Sequence, residues 1–168
     1  VGAPFIMKQK FIDAYMRTAE TFAGLSSARR LHVGAIIVKD DRIISIGYNG
    51  MPSGWDNNCE DKTYCEDGEY SEQVLPKSSN KWRRYNLKSK PEVLHAETNA
   101  IAKLAKSTES GDGAHMFVTH APCLDCAKLV YQSGINSVYY RNAYRSKDGI
   151  EFLKKAGVEV IQVEHTIS

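Results

Sequence analysis

Two short segments of this chain, His95-Ala96-Glu97 and Pro122-Cys123-Leu124-Asp125-Cys126, limit its folds to those that bring them to one point. Together they supply one imidazole and two thiols. A catalytic zinc takes three protein ligands of this kind and leaves its fourth tetrahedral position to water. His95 and Cys123 follow Pro91 and Pro122 and fall at the starts of helical segments. Helix starts present unpaired N–H groups and a positive dipole end, which favour thiolate over thiol. Residues two apart in mid-helix point to opposite sides, but at a helix start His95 and Glu97 can flank a pocket beyond the helix end. Glu97 is not needed as a ligand. It is free to accept a proton from an activated water and to return it, as base and then acid. A closed structural zinc draws on two Cys-x-x-Cys knuckles, and here there is one.

The 168 residues fit a single domain, 1–168, which at this length buries about 70% of its unfolded surface and needs no disulfide staples. Four cysteines fall as a close pair, Cys123/Cys126, and a looser one, Cys59/Cys65, which argues for metal rather than disulfides. No apolar run approaches a membrane span, and residues 1–4 are given no weight. The N-terminus lacks the layout of a signal peptide, so a soluble, cytoplasmic protein is expected. Twenty-two Lys and Arg against 20 Asp and Glu leave a net charge of +2. That is a weak footprint for gripping a long nucleic acid by its phosphates. It suits a small anionic ligand held by local cations, and Arg29-Arg30, Lys81-Trp82-Arg83-Arg84 and Arg141/Arg145/Lys147 supply such clusters.

Phe11, Tyr15, Ala19 and Phe22 recur at helical spacing and predict a helix over about 6–24. Residues 33–38 and 43–48 are β-branched runs joined by Asp40-Asp41, a predicted hairpin. From 49 to 91 the pattern dissolves into a long insert without predicted structure, and such stretches are usually functional or disordered. A helix from His95, a strand at 116–119, a helix at 123–131, a strand at 138–140, a helix at 147–156 and a strand at 158–163 complete the order. Crossover helices between the later strands imply parallel neighbours. The expected architecture is α/β: a mixed five-stranded sheet covered by helices in an α/β/α sandwich.

His-x-Glu with Pro-Cys-x-x-Cys is the signature of zinc-dependent nucleobase deaminases. Gly47-Tyr48-Asn49-Gly50-Met51-Pro52-x-Gly54, Trp82-Arg83-Arg84, His95-Ala96-Glu97-x-Asn99-Ala100-Ile101 and Pro122-Cys123-x-x-Cys126-Ala127-Lys128 resemble deoxycytidylate deaminases. The resemblance runs from about 33 to 157 and implies the cytidine-deaminase-like fold. It also implies conversion of dCMP to dUMP and ammonia. Asn49 would then contact the deoxyribose, and backbone N–H groups of Ala96 or Cys123 would hold the carbonyl oxygen of the base. For the phosphate, Tyr140-Arg141 lies at the predicted end of a strand, where open α/β sheets bind ligands, and Arg141 is the first candidate. Arg30 is the second; either guanidinium can bind phosphate bidentately. Family members are commonly hexamers activated by dCTP and inhibited by dTTP, with Mg2+ accompanying the triphosphate. The insert, with Gly50, Trp82 and Arg83, is the expected effector segment.

Some relatives carry a second zinc. Here Cys59, Cys65 and a distant His32 leave its ligand set incomplete, with free thiols as the other reading. The rival assignments are a tRNA adenosine deaminase or other base deaminase, and an inactive nucleotide-sensing module. The long insert and weak net charge count against the first, the intact Glu97 against the second.

Overall fold

A computed structural model describes residues 6–165; residues 1–4 lie outside the described part. Helix α1 (Gln9–Ala23) is followed by the hairpin β1 (Gly34–Lys39) and β2 (Arg42–Tyr48). The turn residues Asp40 and Asp41 have φ of 52° and 57°, the left-handed pair that a tight hairpin turn requires. After a long excursion come α2 (Ala96–Leu104), β6 (His115–His120), α3 (Leu124–Gln132), β7 (Ser137–Asn142), α4 (Asp148–Lys155) and β8 (Glu159–Gln162). The five-stranded sheet has the order β2-β1-β6-β7-β8. β1 runs antiparallel to both neighbours, while β6, β7 and β8 are parallel, as the crossover helices dictate.

Both faces of β1 are buried, so its run is apolar throughout rather than alternating. Ile36 and Val38 join Met16, Ala19, Phe117 and Tyr139 beneath α1. Ala35 and Ile37 join Ala96, Ala100, Ala127, Val130 and Leu153 beneath α2, α3 and α4. Phe117 and Tyr139 stack at 4.5 Å on the α1 side, and Tyr15 closes on Phe117 at 5.3 Å. The α/β/α layering is as expected.

The stretch 49–91 is not the structureless insert that the sequence led us to expect. β3 (Glu60–Tyr64), β4 (Tyr70–Gln73) and β5 (Trp82–Ser89) form a second antiparallel sheet with β5 at its centre. Its strands are polar and mostly exposed, so the period-2 hydrophobic signal is absent. Cross-strand polar pairs hold it instead. Glu72 pairs with Lys62, accepts from Tyr64 Oη at 2.6 Å and from Arg83 Nε at 3.0 Å. Those donors, Lys62 foremost, hold its carboxyl down at about 2. Tyr70 stacks on Tyr85 at 5.6 Å. The ends of the excursion are pinched together: Gly50 and Leu94 exchange backbone hydrogen bonds of 3.1 and 2.8 Å, which sets His95 beside the end of β2.

α2 lies so close to β2 that Gly47 has no room for a side chain. A Cβ there would stand 2.3 Å from Ala96 O and 2.7 Å from Ala100 N. Gly47→Ala is therefore expected to cost about 1–3 kcal/mol of stability, the usual price of overpacking. Because the displaced atoms belong to the first turn of α2, metal binding should weaken as well. Chemical denaturation beside a zinc titration checks both.

Candidate active site

The two helices that carry the motif begin at the C-terminal ends of β2 and β6, strands that run in the same direction. His95 is the N-cap residue of α2 and Cys123 that of α3, both with extended backbone. This is what lets His95 and Glu97 share a site although they are two residues apart. His95 Nδ1 lies 3.2 Å from Cys126 Sγ and 3.7 Å from Cys123 Sγ. The three donor atoms all lie within 4.8 Å of one another, the one such cluster of His, Cys, Asp and Glu among the described residues. Tetrahedral zinc, with bonds of about 2.0–2.1 Å to nitrogen and 2.3 Å to sulfur, places its donors about 3.5–3.8 Å apart. The trio fits that ion in both chemistry and spacing.

The electrostatics of the trio are those of a site prepared for a cation. Hydrogen bonds from Cys126 and His95 hold the Cys123 thiol down at about 4. The same proton-sharing with Cys123 pushes Cys126 up, burial adding to it, and the contact with Cys123 raises His95. Glu97 is buried in the first turn of α2, and its carboxyl is raised by that burial.

A cavity of about 750 Å³ opens over these residues, within the range of small-molecule sites. Its wall includes His95, Ala96, Glu97 and Cys123 at one place, and the cations Arg30, Lys90 and Arg145 elsewhere. Asn49 is also in the wall. Its amide clips the strand entry, accepting from Val33 N at 2.9 Å and donating to Leu31 O at 2.8 Å. One N–H and one oxygen lone pair of the amide remain beyond those two bonds.

Arg141 is not in that wall. β7 runs on through Asn142, so Arg141 is an in-strand residue on the α1 face with Tyr139. Its Nε lies 2.7 Å from Glu20 Oε1, and its Nη1 donates to Glu164 O at 2.8 Å. Tyr140 takes the other face, packed against the core beneath α2, α3 and α4 and lining a smaller neighbouring cavity. The expectation that Arg141 meets the phosphate is corrected, and Tyr140, expected among the substrate-binding residues, does not line this cavity either; the buried guanidinium is a fastener between α1 and β7. Arg141→Ala should lower stability by about 1–3 kcal/mol in chemical denaturation and leave ligand affinity in the cavity unchanged.

The cavity cations that sequence reasoning did not single out are Lys90 and Arg145. Arg145 had a signal, since it belongs to the basic cluster after β7, but its place depends on where that strand ends. His120, half-buried at the end of β6, also lines the cavity, and burial pushes its pKa down. Trp82 is exposed and Arg83 is engaged with Glu72 and the Tyr64 ring, both on the small sheet, while Gly50 belongs to the pinch. Cys59 is buried near Ser27 Oγ, and His32 Nε2 donates to Ala28 O in its own turn. Neither joins Cys65 in a metal cluster among the described residues.

Known proteins are similar to this chain in sequence and in fold. The profile of the cytidine and deoxycytidylate deaminase zinc-binding region matches residues 9–142. The dCMP deaminase of cyanophage S-TIM5, solved in complex with dCMP and dUMP, is similar with a TM-score of 0.77 and 45% identity, over 94% of this chain and 100% of that one. The deoxycytidylate deaminase of Enterobacteria phage T4 is 36% identical over 152 residues, 78% of each chain. That of Homo sapiens is 38% identical over 140 residues, 76% of this chain and 66% of its own. With the profile spanning most of the chain and the motif residues clustered as its chemistry needs, this protein belongs to the cytidine and deoxycytidylate deaminase family.

Proposed function

We propose that the chain hydrolyses dCMP to dUMP and ammonia, supplying the precursor of thymidylate, and that His95, Cys123 and Cys126 hold its zinc. The observation that carries this reading is one cavity whose wall contains His95 and Cys123, with buried Cys126 completing the trio beside them, the separate carboxylate Glu97 and three cations. Bound zinc supplies a water acidic enough to yield hydroxide near neutral pH. Glu97 then does the proton work: it takes the proton released by the water and delivers it to the ring nitrogen of cytosine. Once the water's oxygen has bonded to the amine-bearing ring carbon, Glu97 carries the proton of that hydroxyl to the amine, which leaves as ammonia while the oxygen remains as the carbonyl. Ala96, fully buried at the first position of α2, offers its backbone N–H to the base carbonyl. Asn49 offers its remaining donor and acceptor to the sugar. Arg30 leads for the phosphate, with Lys90 and Arg145 beside it.

Ammonia release from dCMP, CMP, dCTP and deoxycytidine, measured in parallel with an anticodon stem-loop, tests the reading. A clear preference for dCMP is expected. Equal rates on CMP or deoxycytidine, or turnover of the stem-loop, would overturn it.

The resemblance also supports a hexamer activated by dCTP with Mg2+ and inhibited by dTTP. The small sheet is the segment through which the effectors would act, because Glu60, Glu69, Tyr70, Ser89 and Lys90 from its strands and edges line the active-site cavity. Rates against dCMP with and without each triphosphate test this regulation; unchanged hyperbolic kinetics would rule it out.

A further inference from the structure

β3 is exposed along most of its length, yet its first residue, Glu60, has a side chain only 1% exposed. A buried carboxylate is costly unless hydrogen bonds satisfy it, and Glu60 spends its bonds in one place. Oε1 accepts from the backbone N–H of Arg29 at 2.8 Å and of Arg30 at 3.1 Å. Arg29 Nε lies 3.6 Å from Oε2. Two successive N–H groups turned toward one oxygen form a small anion-binding concavity, here filled by the protein's own carboxylate from another sheet.

The residue opposite Glu60 in the β3–β5 ladder is Ser89. Its Oγ lies 3.5 Å from Arg30 Nη1. One rung of the small sheet thus holds Arg30 at both ends, its backbone through Glu60 and its guanidinium through Ser89. Arg30, Glu60 and Ser89 all line the active-site cavity. Without the rung, Arg30 is a long side chain on a loop between α1 and β1, free to sample many rotamers before meeting an anion.

We infer that Glu60 is a positioning residue for the phosphate end of the substrate. It fixes the Arg29–Arg30 backbone so that the Arg30 guanidinium is held, already oriented, for the 5′-phosphate of dCMP. This rests on the reading above that Arg30 meets that phosphate. It gives the small sheet a direct part in substrate selection, since binding energy gained through a pre-ordered arginine is not spent on ordering it. Nucleosides without the phosphate gain nothing from the rung.

The test is steady-state kinetics on dCMP, and kcat/KM on deoxycytidine at high enzyme concentration, for the wild type, R30A, E60A, E60Q and R30A/E60A. Zinc content and thermal melting are checked for each. R30A should raise KM for dCMP about 10- to 100-fold, the worth of a hydrogen bond to a charged group, with kcat and the deoxycytidine reaction little changed. E60A should show the same split. E60Q should recover most of the affinity, because its amide oxygen still accepts both N–H groups. The double variant should be no worse than R30A, since both changes remove one interaction. If E60A does not fold, E60D, whose carboxylate is withdrawn by one methylene, carries the comparison. Equal losses on dCMP and deoxycytidine, or additive losses in the double variant, would show Glu60 to be a general brace and overturn the inference. If R30A shows the split and the Glu60 variants do not, only the role of Glu60 fails. If R30A leaves KM for dCMP unchanged, the phosphate reading itself fails and the inference with it.

Discussion

Glu97→Gln should lower kcat for dCMP by about 10³- to 10⁴-fold, near the top of the range for losing one general acid–base group. The size follows from the double duty of a single carboxylate. Among the described residues that line the cavity beside the metal trio, Glu97 is the one acidic side chain on the helix that carries His95. Glutamine keeps its shape and its place in the first turn of α2, so KM and zinc content should stay close to the wild type. Stability gives an independent control. Burial raises the Glu97 carboxyl, so the folded state binds its proton more tightly than the unfolded chain does. Ionised Glu97 therefore costs stability at every pH above its unfolded value, and the cost grows as pH rises toward the raised one. Removing the charge relieves this, so the melting temperature of the zinc-free variant at neutral pH should not fall below that of the zinc-free wild type. A variant that lost activity together with its melting temperature or its zinc would point to a structural role for Glu97. Ammonia release, metal analysis and thermal melting of the same preparations settle it.

How much of this was legible beforehand depended on how local each signal is. The main sheet was readable because β1, β6 and β7 are buried on both faces and carry unbroken apolar runs. The ligand trio was readable because its residue types and spacing are chemical requirements, whatever the surrounding packing. The small sheet was not, since its strands are specified by pairs such as Lys62–Glu72 and Tyr70–Tyr85 that become neighbours only after folding. Arg141 shows a finer failure. Ending β7 at Tyr140 would put the next residue at the mouth of the site, but the strand continues through Asn142. Strand alternation then sends Arg141 to the α1 face, and the chain delivers Arg145 to the cavity instead. Glu60 offered no sequence signal, because an acid in a polar segment looks solvated until its burial is seen.

Removing the metal should abolish turnover, with recovery on adding zinc, and the affinity for zinc should climb with pH. In the metal-free trio one thiol is already a thiolate at neutral pH, since the Cys123 thiol is held down at about 4. Cys126 keeps its proton, because it donates to Cys123, is buried and lies near Glu97. His95 is raised by its contact with Cys123. Zinc needs both sulfurs as thiolates and the imidazole neutral, so binding must expel the Cys126 proton and, at lower pH, one from His95 as well. Each proton released steepens the apparent affinity by about tenfold per pH unit. Competition against a chromophoric chelator between mildly acidic and mildly alkaline pH should give a slope near one proton at the alkaline end, rising toward two as His95 becomes protonated. Cys126→Ser removes the residue that carries the shared proton. That variant should bind zinc far more weakly, and its affinity should lose most of the pH dependence that remains at the alkaline end. A wild-type affinity flat across the range would mean that both cysteines are already ionised without metal, and that the helix starts alone prepare the site.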